Sequence, residues 1–223
     1  MAKYGDYITL FGPDHLIYIA GMILIAVLLF TNVSFVKRNR TIITVVILIL
    51  SILQQIVLYG SYLVLYDFDL AESLPLHVSR INSILGIIYL ITKNKKVFTV
   101  LALFSVFAYL SFLYPSRVYG ITHPIGISFY VNHAITILLP FYGIIAYNET
   151  IKKWDSLRVF PWFVLYVIIA YITNIFTDGN YFYLKEKPVF PDLANIYYIP
   201  ASLVFSLVLF KLYEIVFRRF QRN

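Results

Sequence analysis

The chain has 223 residues and a formal net charge of +7; 61% of its residues are hydrophobic, 18% are aromatic and only 13% are charged. Soluble domains keep roughly a quarter of their residues charged, so this composition excludes an ordinary soluble domain and indicates a protein of the lipid bilayer. There is no cysteine, which excludes a disulfide framework and thiol chemistry.

Seven apolar runs follow one another along the chain. A hydrocarbon core of ~30 Å needs about 20 helical residues, and the fourth and sixth runs are the shortest. Pro161 and Pro200 lie near predicted helix starts, whereas Pro140 lies inside the fifth run and predicts a kink there. The sequence therefore predicts an all-α fold, a polytopic membrane helix bundle of seven transmembrane helices in a single domain over 1–223, with spans at 16–35, 42–66, 74–92, 97–114, 126–147, 159–176 and 195–217.

Basic residues are concentrated on one side of this predicted bundle. Thirteen lie on that side: Lys37, Arg38, Arg40, Lys93, Lys95, Lys96, Lys152, Lys153, Arg158, Lys211, Arg218, Arg219 and Arg222. Only four lie on the other side, namely Lys3, Arg117, Lys185 and Lys187. Because basic segments stay cytoplasmic, the N-terminus is predicted outside and the C-terminus inside. This topology accounts for the positive net charge, so no nucleic acid partner is expected. The expected partner is the lipid bilayer, whose anionic headgroups attract the basic residues.

Polar residues in the predicted spans converge on one level. At 1.5 Å per residue, His77 and Arg80 lie about 5–10 Å below the outer edge of the third span. The fifth and sixth spans bring four further polar residues to about this depth: Asn132, His133, Asn174 and Asp178. His15 and His123 lie at the outer ends of the first and fifth spans. Intramembrane charges usually face a bundle interior or a wet cavity, so we expect His77, Arg80, His133 and Asn174 to surround one outer cavity. The alternative is that His77 and Arg80 snorkel and tie helices together.

The residue types at this level suggest nucleophilic chemistry. Ser79 next to a histidine from another helix could form a nucleophile and base pair, with Arg80 or an amide stabilising an oxyanion. His133 is the preferred base, because the charge of Arg80 would lower the pKa of His77; His77 remains the alternative base. A zinc site of histidines and Asp178 is a further alternative, but no single helix carries a metal-binding pair and Arg80 would repel a cation. No metal or cofactor is therefore expected.

The stretch "NIFTDGNYFYLKEKP", residues 174–188, ends the sixth predicted span at an Asp-Gly turn. Its aromatic cluster, Tyr181 to Tyr183, fits two interpretations. It could be an ordinary aromatic belt at the interface, or a lid over the polar cavity that offers Lys185 and Lys187 to lipid phosphate. In the second span, Gln54 and Gln55 lie deeper, and we expect them to make interhelical hydrogen bonds.

Three motifs occur in order between about residues 70 and 215: "LPLH", "HPIGISFYVNH" and "GNYFYLKEKP". In combination they resemble the YwaF-like family of bacterial integral membrane proteins, which implies a multi-pass protein of the bacterial plasma membrane. The family's animal relatives resemble acyltransferases that move acyl chains between phospholipids, using a cysteine near the "LPLH" histidine. Ser79 stands at about that place here. Either the serine replaces the thiol, or acyl chemistry is absent.

These observations predict a membrane-embedded lipid acyltransferase or acyl-ester hydrolase with an outward-facing polar cavity and a phospholipid substrate. The expected catalytic residues are His133, His77 and Ser79. The expected substrate-binding residues are Arg80, Asn132, His123, Asn174, Asp178, Tyr181 and Lys185. The alternative is a non-enzymatic transporter, sensor or binding protein for a lipid or small anion, although no paired repeat typical of transporters is visible.

Overall fold

The computed structural model describes residues 7–222, which fold into α-helices joined by short connections. No strand forms in this part of the chain; Tyr7 and Tyr119 make an isolated antiparallel bridge. The predicted all-α fold is confirmed. The helices are α1 (Pro13–Thr31), α2 (Val33–Arg38), α3 (Arg40–Leu65), α4 (Leu70–Ser73), α5 (Val78–Thr92), α6 (Lys95–Phe104), α7 (Val106–Leu113), α8 (Pro124–Tyr147), α9 (Asp155–Thr177) and α10 (Asn195–Phe220), with a 3₁₀ turn at Tyr181–Tyr183.

Within the described residues, six segments are long and apolar enough to cross a membrane: α1, α3, α6 together with α7, α8, α9 and α10. They differ in how far they are covered by the rest of the protein. The most apolar stretch of α8 is 72% buried, against 22% for α3 and 17% for α10. The predicted multi-pass membrane protein is confirmed, with α8 at the centre of the bundle and the other helices facing lipid over much of their surface.

The third predicted span, 74–92, is shorter than expected. Its helix, α5, begins at Val78 and has 15 residues, so it is roughly 22 Å long at 1.5 Å per residue. Proline disfavours helical geometry in the residue before it, and Leu74, which precedes Pro75, is extended at φ −64° and ψ 152°. His77 is extended too and caps the helix. His77 therefore precedes the first helical residue of α5, which was predicted to begin at 74, and α5 is shorter than the six spanning segments.

The fourth predicted span, 97–114, is interrupted at Ser105, where α6 ends and α7 follows. The Ser105 hydroxyl donates to the carbonyl of Ala102 at 2.7 Å. No proline or glycine marks this position, so no local signal predicts the break. By contrast, Pro140 lies inside α8, and the helix continues past it to Tyr147.

Close backbone approach fixes the N-terminal end of α8 at Gly126. A Cβ atom added there would lie 2.0 Å from the carbonyl oxygen of Gly120 and 2.7 Å from that of Tyr119. Both contacts are to backbone, which cannot swing aside as a side chain can. The glycine therefore allows the connection before α8 to pack directly on the helix.

Replacing Gly126 by alanine should destabilise the protein by about 1–3 kcal/mol, the usual cost of overpacking a tight site. Gly60 in α3 is the matched control, because a Cβ atom added there meets nothing within 4 Å. Gly60→Ala should be neutral or stabilising by up to about 1 kcal/mol, the helix preference of alanine over glycine. Thermal unfolding in detergent measures both variants; equal melting temperatures would contradict the packing at Gly126.

Candidate functional site

Arg80 is the centre of a buried polar cluster at the start of α5. Its Nη1 donates to the carbonyl of Leu74 at 3.0 Å and to that of Glu72, and its Nη2 donates to the Tyr62 hydroxyl and lies 3.3 Å from the Glu72 carboxylate. The guanidinium also lies over the Tyr62 ring, 4.9 Å from its centre. Only 9% of the Arg80 side chain is exposed. The arginine thus joins α3 and α5 to the connection between them, which agrees with the structural alternative stated for it.

His77 belongs to the same cluster. Its Nε2 lies 3.4 Å from Glu72 Oε1, and its ring meets the Tyr181 ring edge-on at 5.1 Å. Burial lowers the pKa of His77, and the charge of Arg80 lowers it further, against the opposing effect of Glu72. Burial alone would raise the pKa of Glu72, but the contact with His77 and the charge of Arg80 lower it overall. At neutral pH the cluster therefore holds a neutral imidazole beside an ionised carboxylate and an arginine.

Tyr181 closes this cluster from the α9 side. Its hydroxyl donates to the carbonyl of Leu70 at 2.6 Å and accepts from the amide of Leu74 at 3.0 Å. Asn174 in α9 holds the backbone of Tyr181 on both sides: Nδ2 donates to its carbonyl at 2.9 Å, and Oδ1 accepts from its amide at 2.8 Å. Arg80, Tyr181 and Asn174 are thus linked through the α4 connection.

The aromatic belt interpretation is wrong for Tyr181 and its neighbour. Tyr181 is fully buried, and Phe182 packs edge-on against Phe163 at 5.4 Å in the interior of the bundle. Lys185 pairs with Asp178 at 2.6 Å, and both side chains are mostly exposed just after the C-terminal end of α9. The segment is therefore a plug packed onto the helices, with its lysine on the outside.

His133 lies in a different part of the interior, on α8. Its Nδ1 lies 2.8 Å from the carbonyl oxygen of Phe129. A carbonyl only accepts, so Nδ1 carries the proton and Nε2 is the basic nitrogen of the neutral ring. Nε2 is buried and has no hydrogen-bond partner among residues 7–222. The Phe129 ring lies 3.9 Å from the imidazole, so a free basic nitrogen stands in apolar surroundings.

Asn132, the neighbour of His133, connects α8 to the start of α5. Its Nδ2 donates to the main-chain carbonyl of Ser79 at 3.4 Å, and its Oδ1 accepts from Thr136 at 3.3 Å. The Ser79 side chain is half-buried, and its hydroxyl makes no hydrogen bond within the described residues. Ser79, the predicted nucleophile, lies on α5, and His133, the predicted base, lies on α8. The two helices are in contact at Asn132, the residue before His133.

The remaining two histidines have separate surroundings. His15 is buried, its Nε2 lies 2.9 Å from the carbonyl of Phe112, and its Nδ1 accepts a main-chain amide at 2.9 Å, so both nitrogens serve the structure. His123 stacks on Tyr119 at 4.1 Å and lines a cleft of about 420 Å³ together with Asp14. Burial lowers the pKa of His123. Of the predicted site residues, only His123 lines this cleft.

Sequence reasoning missed two residues of this region. Glu72 lies between the second and third predicted spans and was not among the predicted site residues, yet it pairs with both Arg80 and His77. Asn82 is buried on α5, and neither atom of its amide has a partner among the described residues. Its position three residues after Ser79, on the same helix face, was a signal that could have found it. The predicted interhelical bonds are confirmed: Gln54 donates to Ser128 and Gln55 to Ser83, both at 2.7 Å.

All these residues fall within one stretch that a family model recognises, because the model matches residues 10–213. The chain belongs to the TMEM164 family. The expected multi-span membrane family is thereby confirmed, and the match includes α5, α8 and the plug at Tyr181. The more specific YwaF-like assignment and the bacterial membrane stay predictions. No curated protein and no solved structure matches the chain.

Proposed function

We propose that this protein carries out acyl-ester chemistry on membrane phospholipids, as an acyltransferase or an acyl-ester hydrolase, with His133 as its base. The observation that carries the proposal is the buried Nε2 of His133, unprotonated and without a partner among residues 7–222. Ionisable groups inside a membrane are costly and usually serve function, and a base must keep its lone pair free.

Ser79 is the proposed nucleophile. As its Oγ attacks the carbonyl carbon of an acyl ester, its proton passes to His133 Nε2. The bond from the acyl carbon to the leaving alkoxide then breaks, and the alkoxide takes that proton. A second hydroxyl then attacks the acyl-serine and gives its proton to His133 Nε2; the bond from the acyl carbon to Ser79 Oγ breaks, and Oγ takes that proton back, so that both residues return to their starting state. A lipid alcohol in this step gives transfer, and water gives hydrolysis. The mechanism requires Oγ within about 3 Å of Nε2 during the reaction.

Arg80 and Asn132 have positioning roles in this proposal. Arg80 uses its donors on Glu72, Leu74 and Tyr62, so it fixes the chain that leads into α5. Asn132 holds the Ser79 carbonyl at 3.4 Å and thereby sets the distance between the two helices. The sequence predicted that Arg80 and Asn132 bind substrate. In the resting protein their side chains already make hydrogen bonds to other residues, so we assign them positioning roles instead.

The test is turnover in a defined membrane. The purified protein is placed in nanodiscs of a single phospholipid with a second, acyl-labelled phospholipid, and mass spectrometry follows the labelled chain. We expect the label to move to another lipid or to appear as free fatty acid, and Ser79→Ala to slow this. No change in any acyl species would refute the enzyme and favour the alternative, a non-enzymatic protein that binds, senses or transports a lipid or small anion.

We also propose that α5 is a seventh span, with the N-terminus outside and the C-terminus in the cytoplasm of a bacterial cell. The support is that α5 runs beside α8 over most of its length. Ser79 meets Asn132 near one end, and at the other end Lys93 Nζ lies 4.4 Å from the centre of the Tyr147 ring. A helix that follows a spanning neighbour this far reaches the opposite connection despite its 15 residues.

Cysteine labelling tests this orientation, because the native chain contains no cysteine. In intact cells, a membrane-impermeant maleimide should label Asp67→Cys, which is exposed before α5, and should reach Asn94→Cys, which follows α5, only after permeabilisation. Lysine and arginine asymmetry sets this expectation. The reverse pattern would invert the topology, and labelling of both positions from outside would remove α5 as a span.

A further inference from the structure

Asn82 is a buried polar residue without a partner in the membrane-embedded part of the bundle. Only 2% of it is exposed, and both Nδ2 and Oδ1 lack a hydrogen bond among the described residues. Its polar neighbours differ in this respect. Ser83, the next residue, accepts from Gln55 at 2.7 Å, and Asn132 bonds Ser79 and Thr136. Among the described residues, Asn82 is the one side chain in which two buried polar atoms lack a hydrogen bond; at Tyr59, Ser73, His77, His133 and Asn195 a single atom does.

The register of the two helices shows where the amide lies. Ser79 contacts Asn132, and a Cβ atom added at Gly86 would lie 3.1 Å from Leu139. Both pairs are 53 residues apart in sequence, so α5 and α8 run parallel with a constant offset. Asn82 is about one turn from each contact on the same face of α5, since residues three and four apart share a face. Its side chain therefore belongs to the interface with α8.

A structural role does not account for this arrangement. An asparagine that ties helices together makes interhelical bonds, as Asn132 does. An asparagine at this depth also cannot reach the headgroups as a long lysine side chain does. Buried polar groups are almost always satisfied, and an exception points to an absent water or ligand or to a catalytic role.

We propose that the Asn82 amide is a binding group for the acyl ester inside the membrane. Nδ2 would donate to the ester carbonyl oxygen, and Oδ1 would accept from a hydroxyl, either that of an acceptor alcohol or that of water. A neutral amide suits this task, because an ester is uncharged and a charged partner would have to be desolvated beside it. This inference rests on the proposed function and specifies its ligand as an ester carbonyl together with a hydroxyl.

The first arm of the test is stability. Leucine is similar to asparagine in shape and has no polar atoms, so Asn82→Leu should leave the melting temperature unchanged or raise it. Removing unpaired polar groups from an apolar site is often neutral or stabilising. Asn132→Leu is the matched control and should lower the melting temperature, because Ser79 and Thr136 lose their partner. An equal loss in both variants would show that Asn82 is structural and overturn the proposal.

The second arm is ligand selectivity, measured as thermal stabilisation of the full-length protein in detergent. The probes are monoolein, which has an ester carbonyl and hydroxyls, and its ether analogue, which lacks the carbonyl. Monoolein should stabilise the wild type more than the ether does. Asn82→Leu should abolish the difference, and so should Asn82→Ala, which removes volume instead of replacing it. A difference that persists in both variants would overturn the proposal.

This design separates the ligand site from the reaction. If turnover survives His133→Ala while the ester selectivity still depends on Asn82, the catalytic assignment fails and the binding site stands. If turnover depends on His133 while Asn82→Leu keeps both full turnover and full ester selectivity, the binding role of Asn82 fails and the catalytic assignment stands.

Discussion

Replacing His133 by alanine should lower acyl turnover by about 10²- to 10⁴-fold, the usual cost of losing a general base. The reason is the geometry of the ring: Nδ1 is tied to Phe129, which leaves Nε2 as the nitrogen that can take a proton. Labelled-lipid mass spectrometry in nanodiscs measures the rate. The folded state is checked in the same preparation by its melting temperature, which separates lost chemistry from lost structure.

His123→Ala is the control for this experiment. His123 lies in the connection before α8 and lines the cleft with Asp14, so turnover should stay within about twofold of the wild type if the base is His133. Ser79→Ala adds a further comparison, because full activity in that variant would assign the attack to water. Full activity in both His133→Ala and Ser79→Ala would remove the catalytic interpretation altogether.

Replacing Arg80 by alanine should destabilise the protein by about 3 kcal/mol, the lower end of the range found when one partner of a buried charge pair is removed, because the Glu72 side chain is 34% exposed. The loss has two parts. Glu72 loses its arginine, and the carbonyl of Leu74 and the hydroxyl of Tyr62 lose their donor. Unfolding in a series of detergent and denaturant concentrations gives the free energy difference from the wild type.

Lys185→Ala is the matched comparison, because Lys185 also pairs with a carboxylate but does so in solvent. The side chains of Lys185 and Asp178 are 52% and 87% exposed. An exposed pair contributes about 0–1 kcal/mol, so this variant should unfold close to the wild type. Similar effects of the two substitutions would show that the Arg80 cluster does not hold the start of α5 in place.

The helices that cross the bilayer could be predicted because their signal is local. A long apolar run has few alternatives to a membrane helix, and six such segments are present in the described residues. The predicted start of α5, at residue 74, was too early, because the apolar run continues through Pro75 and the helix begins only at Val78. The break at Ser105 had no comparable signal, since it lies in an unbroken apolar stretch.

The sequence indicated which polar residues share a depth along the helices, but not which of them pair. Depth along a span placed Arg80, His77 and Asn174 at one level, and the structure links all three through the α4 connection. Depth says nothing about rotation, however, so it could not separate His133 from that cluster. Partners such as Glu72 for Arg80 depend on how a connection folds back, which spacing along a helix does not encode.

The central position of α8 has a consequence for how the chain enters the membrane. This helix carries Asn132 and His133 and has the lowest mean hydropathy of the six spanning segments, yet it is the one most enclosed by protein. Most of the surface of α8 therefore contacts other helices of the protein and not lipid. During synthesis α1, α3 and α5 emerge first, and all three pack against it. The helix with the candidate base thus meets prepared protein surfaces as it leaves the ribosome, and its polar groups need not face lipid alone.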